Sequence, residues 1–176
     1  MAKTPPAAKT TKKAAAKKTP VKRSAPEKSA AKQTDSDSRT LNIKYADKSA
    51  GQPEMAALFL DIVQTLRPYD KKGSMKLHQN TGGQAILVSH KPVEIAGRKK
   101  PELWFAGALV QKGYVGFYYM PVYGEPGIRK HFTPEFIKCL KGQCCFHIKK
   151  KDPVVMNDIK KALKIGFDAW KDRGWL

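Results

Sequence analysis

Apolar residues along this chain follow two kinds of periodicity, and the switches between them lay out a fold. From Pro53 the apolar positions Met55, Leu58, Phe59, Ile62 and Leu66 recur at spacings of three and four, which gathers them on one side of a helix. Proline is favoured at the first helical position and Pro68 stops the pattern, so the helix is predicted to begin at Pro53 and end before Pro68. Turn signals at Asn80-Thr81-Gly82-Gly83 and Ala96-Gly97-Arg98 then separate short strands expected at 75–79, 84–90 and 92–96. Two longer strands follow, Glu102–Gln111 and Tyr114–Val122. Their connection at Lys112-Gly113 is short, which implies an antiparallel hairpin.

In that hairpin both alternating sets are apolar. Leu103, Phe105 and Leu109 oppose Trp104, Ala106, Ala108 and Val110; Val115, Phe117 and Tyr119 oppose Tyr114, Tyr118 and Met120. Such strands are expected to be covered on both faces. Helices can cover one face, and the other calls for a loop, a partner subunit or a ligand, so a pocket or a homodimer through the apolar sheet face is expected. Thr133-Pro134-Glu135 starts a short helix carrying Phe136, Ile137 and Leu140, with Gly142 as its stop, and Gln143–Lys149 reads as a strand. Asp152-Pro153 opens the last helix, whose Met156, Ile159, Leu163, Phe167 and Trp170 form a second core stripe closed by Gly174. The order predicts an α+β fold: a twisted antiparallel sheet with N-terminal and C-terminal helices packed on one face.

The first forty residues break both periodicities. They are dominated by Lys, Ala, Pro, Thr and Ser, with eleven Lys or Arg against three acids. So few branched or aromatic side chains cannot offset the entropy of ordering, and this stretch is expected to be a disordered, polyanion-binding tail. Apolar residues return by Leu41–Tyr45, which divides the chain into a tail at 1–40, a linker at 41–51 and a folded domain at 52–176. Of the formal charge of +19, the tail carries +8 and residues 41–176 carry +11. Charge on both parts draws the whole molecule toward nucleic acid or another polyanion. The residues expected to contact phosphate are Lys9, Lys12, Lys13, Lys17, Lys18, Lys22 and Arg23 in the tail, and Arg98, Lys99 and Lys100 at a hairpin tip. Arg129-Lys130-His131, Lys149-Lys150-Lys151 and Lys160-Lys161-Lys164 are further basic clusters, which would form a phosphate-binding stripe if several lay on one side.

No apolar run approaches a membrane span and no secretory apolar stretch opens the chain, so a cytoplasmic, nucleoid-associated protein is expected. His131, Cys139, Cys144, Cys145 and His147 could together suggest a metal centre. Strand alternation divides them: Cys144 goes to the core face with Phe146 and Ile148, while Cys145 and His147 point outward as the remaining metal candidates or as a nucleophile and base. Packing accounts for these residues more simply, with no cofactor required and no catalytic set defined. Neither Gly82-Gly83 nor Gly124 with Gly127 has the context of a phosphate loop.

The segments Lys91-Pro92-Val93, Pro101-Glu102-Leu103-Trp104-Phe105-Ala106-Gly107 and Tyr114-Val115-Gly116-Phe117-Tyr118-Tyr119-Met120-Pro121 resemble the YdhG-like family of small bacterial domains of unknown function. Leu140-Lys141-Gly142, Cys144–Ile148 and the final helix continue the resemblance, which spans about residues 53–173. The tail resembles those of linker histones and of some bacterial nucleoid proteins in composition alone. The family resemblance implies a compact α+β unit with a curved antiparallel sheet. Some members are regarded as frataxin-like iron chaperones, which implies exposed carboxylates; this domain, with twelve acids among twenty-three bases, departs from that pattern, and an iron or small-ligand carrier is the alternative function.

Overall fold

The structure, a computed structural model, describes residues 45–176. Pro53 opens helix α1 (Pro53–Leu66), whose Met55, Leu58, Phe59, Ile62, Val63 and Leu66 are all buried. A 3-10 turn over Arg67–Tyr69 follows, and the Asp70 carboxylate accepts the Leu77 amide at 2.9 Å, tying the turn to the first strand. Eight strands come next: β1 (Met75–Thr81), β2 (Gln84–Ser89), β3 (Val93–Ile95), β4 (Arg98–Lys100), β5 (Leu103–Gln111), β6 (Tyr114–Tyr119), β7 (Leu140–Lys141) and β8 (Cys145–Ile148). Six of them form one antiparallel sheet in the order β1-β2-β5-β6-β8-β7, and β3 and β4 form a separate two-stranded ribbon. Short helices α2 (Pro121–Gly124) and α3 (Pro134–Cys139) lie between β6 and β7, and α4 (Pro153–Asp172) closes the fold.

The α+β class and the packing of α1 and α4 on one sheet face are as the sequence predicts. The apolar stripes of both helices join Ala85, Leu87, Phe105, Ala108, Val110, Val115, Phe117, Tyr119, Phe146 and Ile148 in a single core. Within it Phe136 of α3 stacks on Phe146 with ring centroids 4.2 Å apart and planes 6° from parallel. Helix ends are capped by the residues expected to do so. The Asp152 carboxylate accepts the amides of Val154 and Val155. Thr133 accepts the Phe136 amide while donating to the buried Asp158, which also takes the Thr133 backbone N–H.

Four local expectations are corrected. In β5, Leu87 pairs with Ala106 and Val88 with Trp104, leaving Phe105 as the extra residue of a β-bulge. The bulge moves Phe105 to the helix side with Ala106, Ala108 and Val110, and leaves Trp104, Gly107 and Leu109 on the other side. Strict alternation had placed Phe105 with Leu109. The second correction concerns Arg98, Lys99 and Lys100, which form β4 rather than a hairpin tip: the turn is Ala96-Gly97, both at positive φ (50° and 72°), as a two-residue mirror-image turn requires. Third, β6 ends at Tyr119 because Pro121 starts α2. Fourth, α3 ends at Cys139, so Leu140 and Lys141 leave the helix and pair with Phe146 and Cys145. Finally, Ile86, Val88 and Leu109, on the sheet face away from the helices, are buried within the chain itself, so their cover does not require a partner subunit.

Candidate nucleic-acid interface

At the β7–β8 edge of the sheet the chain leaves α3, makes two residues of β7, turns at Gly142 and returns as β8 before running into Lys149 and Lys150. This path puts two basic stretches on either side of one concavity. Lys138 and Lys141 come from α3 and β7, and Lys149 and Lys150 follow β8; with Cys139 and His147 they line a cavity of about 430 Å³. Glu135 and Asp152 also border it, and Asp152 is engaged in capping α4. None of the four lysines forms an ion pair among the described residues, so their charge is available to a ligand.

The other basic clusters are disposed differently. Lys151 pairs with Asp61 at 3.0 Å, Lys164 with Asp168 at 2.8 Å and Arg173 with Glu125 at 2.9 Å. Arg129 donates to the Gln143 carbonyl. Lys160 lines a separate cavity between α1 and α4 with Lys151 and Asp61. Arg98, Lys99 and Lys100 are exposed along β4, where Lys99 faces Glu94 across the ribbon, and Lys99 and Lys100 border a shallow cavity with Pro92 and Pro101. The tail residues Lys9, Lys12, Lys13, Lys17, Lys18, Lys22 and Arg23 lie outside the described residues.

His147 sits on the sheet face away from the helices, as alternation predicts, and opposite it in register is Gly116. Tyr114 lies against the imidazole: the two rings stack with centroids 4.0 Å apart and planes 18° from parallel. Desolvation, together with the positive charges of Lys141 and Lys149, holds the His147 pKa below the ordinary imidazole value, favouring the neutral ring. Cys145, two residues earlier, interacts with the Tyr118 hydroxyl; burial pushes its thiol up, the reverse of what an activated nucleophile needs. The structure thus splits the proposed Cys145–His147 pair between two aromatic partners. Among the described residues no group of three His, Cys, Asp or Glu side chains could hold a metal ion.

A second polar cluster was not apparent in the sequence. On the same sheet face, His78 of β1 meets His90, which follows β2, with their Nε2 atoms 3.0 Å apart, and His90 Nδ1 lies 3.2 Å from Glu102 Oε2. That carboxylate oxygen makes no well-directed hydrogen bond, so its contact with His90 is one of proximity. Nothing in the local spacing of His78, His90 and Glu102 marks them as neighbours; only the β1–β2–β5 pairing brings them together. Lys138 and Lys141 were likewise missed, because a helix-to-strand switch after Cys139 was needed to aim them at Lys149 and Lys150. No family model, curated protein or solved structure matches this chain.

Proposed function

We propose that this protein is a non-enzymatic nucleic-acid binder of cytoplasmic, nucleoid-associated character, in which the Lys-rich tail and the α3–β8 groove both hold phosphates without reading sequence. The YdhG-like resemblance supplies the docking-module frame for the groove. The observation that carries the proposal is the convergence of Lys138, Lys141, Lys149 and Lys150 on one cavity with no ion pair among the described residues. Solvating lysines would be expected to spread out or pair with acids, as Lys151 and Lys164 do. Four unpaired cations around a concavity instead suit a ligand with several negative charges. The absence of a membrane-crossing helix among the described residues is compatible with this role.

Counterion release gives the test. If about half of the tail cations contact phosphate, log affinity for random-sequence DNA falls with log salt at a slope near −5, and four groove contacts add roughly −3 to −4. Replacing the tail cations Lys9, Lys12, Lys13, Lys17, Lys18, Lys22 and Arg23 by Gln is expected to remove most of the first part. Replacing the four groove lysines is expected to remove the second. A slope unaffected by either set would overturn the proposal.

A further inference from the structure

We infer that the sheet face opposite the helices is the docking surface for residues 41–44 of this same chain, which cross it as an extended strap with Ile43 and Leu41 packed on Leu109, Ile86 and Val88. The inference is independent of the nucleic-acid reading. It begins from a face that is dry without a helix to dry it. Gln84 and Ile86 are 3 % exposed there, Val88 1 % and Leu109 5 %. All four helices pack on the other side, α2 through Val122 and α3 through Phe136 as well as α1 and α4 through their stripes. Trp104 and Tyr118, which fold over Gly107 and Gly116, are themselves only partly buried.

The point where the described chain begins says what the cover is. The Tyr45 hydroxyl donates to the Val110 carbonyl at 2.8 Å and fills the space that a side chain at Gly83 would take. Lys48 reinforces the anchor, its Nζ donating to Gln111 Oε1 at 2.7 Å. Val110 and Gly83 are the strand neighbours of Leu109 and Gln84, so the chain preceding Tyr45 starts at one end of the dry face. Among residues 1–44 the only branched aliphatic side chains are Val21, Leu41 and Ile43, and no aromatic ring occurs. Leu41, Ile43 and Tyr45 alternate with Asn42 and Lys44, which is the pattern of an extended segment with one apolar side. The lengths agree as well: at about 3.3 Å per extended residue, Ile43 lies about 7 Å and Leu41 about 13 Å beyond Tyr45, the same steps by which Ile86 and Val88 follow Gln84 along β2. A peptide is also the right chemistry for this face. Gln84 Nε2 and Trp104 Nε1 are buried donors without a partner, and a passing backbone brings carbonyl acceptors that a purely apolar cover would lack. Residues 41–44 thereby belong to the folded unit rather than to a linker, and the basic tail departs from this face at Arg39.

The first test needs no substitution. In full-length protein with labelled methyl groups, nuclear Overhauser cross-peaks are expected from Ile43 to Leu109 or Ile86 and from Leu41 to Val88. Their absence, or cross-peaks from Leu41 and Ile43 to α1 or α4 instead, would overturn the strap. A sample mixed from labelled and unlabelled copies separates the remaining occupant: cross-peaks that arise only between copies would assign the face to a second molecule and overturn it too. A second test compares two double variants of the full chain. Leu41→Ser with Ile43→Ser is expected to lower the urea midpoint and to shift the Trp104 indole N–H resonance. Asn42→Ser with Lys44→Ser, on the outward side of the alternation, is expected to leave both as in the parent. Equal midpoints and equal spectra for the two double variants would show that Leu41 and Ile43 bury nothing.

Discussion

The two faces of the central sheet are both rich in apolar and aromatic residues, yet they are built for different ends. Toward the helices, Phe105, Phe117, Tyr119 and Phe146 are fully buried and pack ring against ring, with the Tyr119 hydroxyl donating to the Ala162 carbonyl. On the other face the strands carry Gly107 and Gly116 beside Trp104 and Tyr118, and polar groups enter at His78, Gln84, Cys145 and His147. Gln84 Nε2 and Trp104 Nε1 are buried there without a hydrogen-bond partner. One face spends its aromatic rings on cohesion, and the other keeps polar side chains and a stacked platform at its edge. Periodicity sees both as apolar strand, so hydrophobic pattern alone does not separate a closed aromatic core from a face that admits polar groups.

The sharpest way to break that contrast is to remove one ring from each face. Phe146→Ala opens a cavity where Phe117, Phe132 and Phe136 converge and is expected to destabilise by about 3–5 kcal/mol. Tyr114→Ala, at the half-buried platform, is expected to cost less than half as much, because partly exposed surface regains water and no closed void remains. Urea unfolding of the two variants checks the difference; equal losses would mean that the platform belongs to the core.

A smaller effect tests whether the glycines of the second face are structural choices. A Cβ at Gly107 would lie 3.0 Å from the Ala85 carbonyl oxygen and 3.0 Å from Trp104 Nε1. The neighbouring strand cannot yield easily, so the indole must move. Gly107→Ala is expected to cost about 1–3 kcal/mol by overpacking and to shift the tryptophan emission maximum. An unchanged unfolding midpoint with an unchanged spectrum would show that the Trp104 ring is not held against Gly107.

How much of this was legible beforehand follows from which interactions are local. The helix stripes of α1 and α4, the caps Thr133 and Asp152, and the β5–β6 hairpin depend on residues a few positions apart, and the spacing displays them. The bulge at Phe105 does not announce itself, since its cause is how β5 pairs with the separate strand β2. The same holds at the candidate site. Lys149-Lys150 is visible as a run, but its union with Lys138 and Lys141 depends on α3 stopping at Cys139 so that Leu140 can pair with Phe146. His147 was legible as outward-facing; its stacking partner Tyr114 was not, because that pairing needs the β6–β8 register.

The least disruptive probe of the two faces compares adjacent tyrosines that point in opposite directions. Burial raises the pKa of both, but Tyr119 lies in the closed core and is held further up than Tyr118, whose phenol is pushed up to about 12 by burial first and by Cys145 second. For Tyr118 the folded state retains its proton where the unfolded chain, with a phenol near 10, has begun to lose it. The contribution to stability is therefore complete below about pH 10 and is lost as pH rises toward about 12. Tyr118→Phe removes this dependence and leaves that of Tyr119 in place. Across that window the urea midpoint of the parent is expected to fall more steeply than that of Tyr118→Phe. Parallel curves would mean that the Tyr118 hydroxyl titrates as if exposed to water, and the second face would then be wetter than its packing implies.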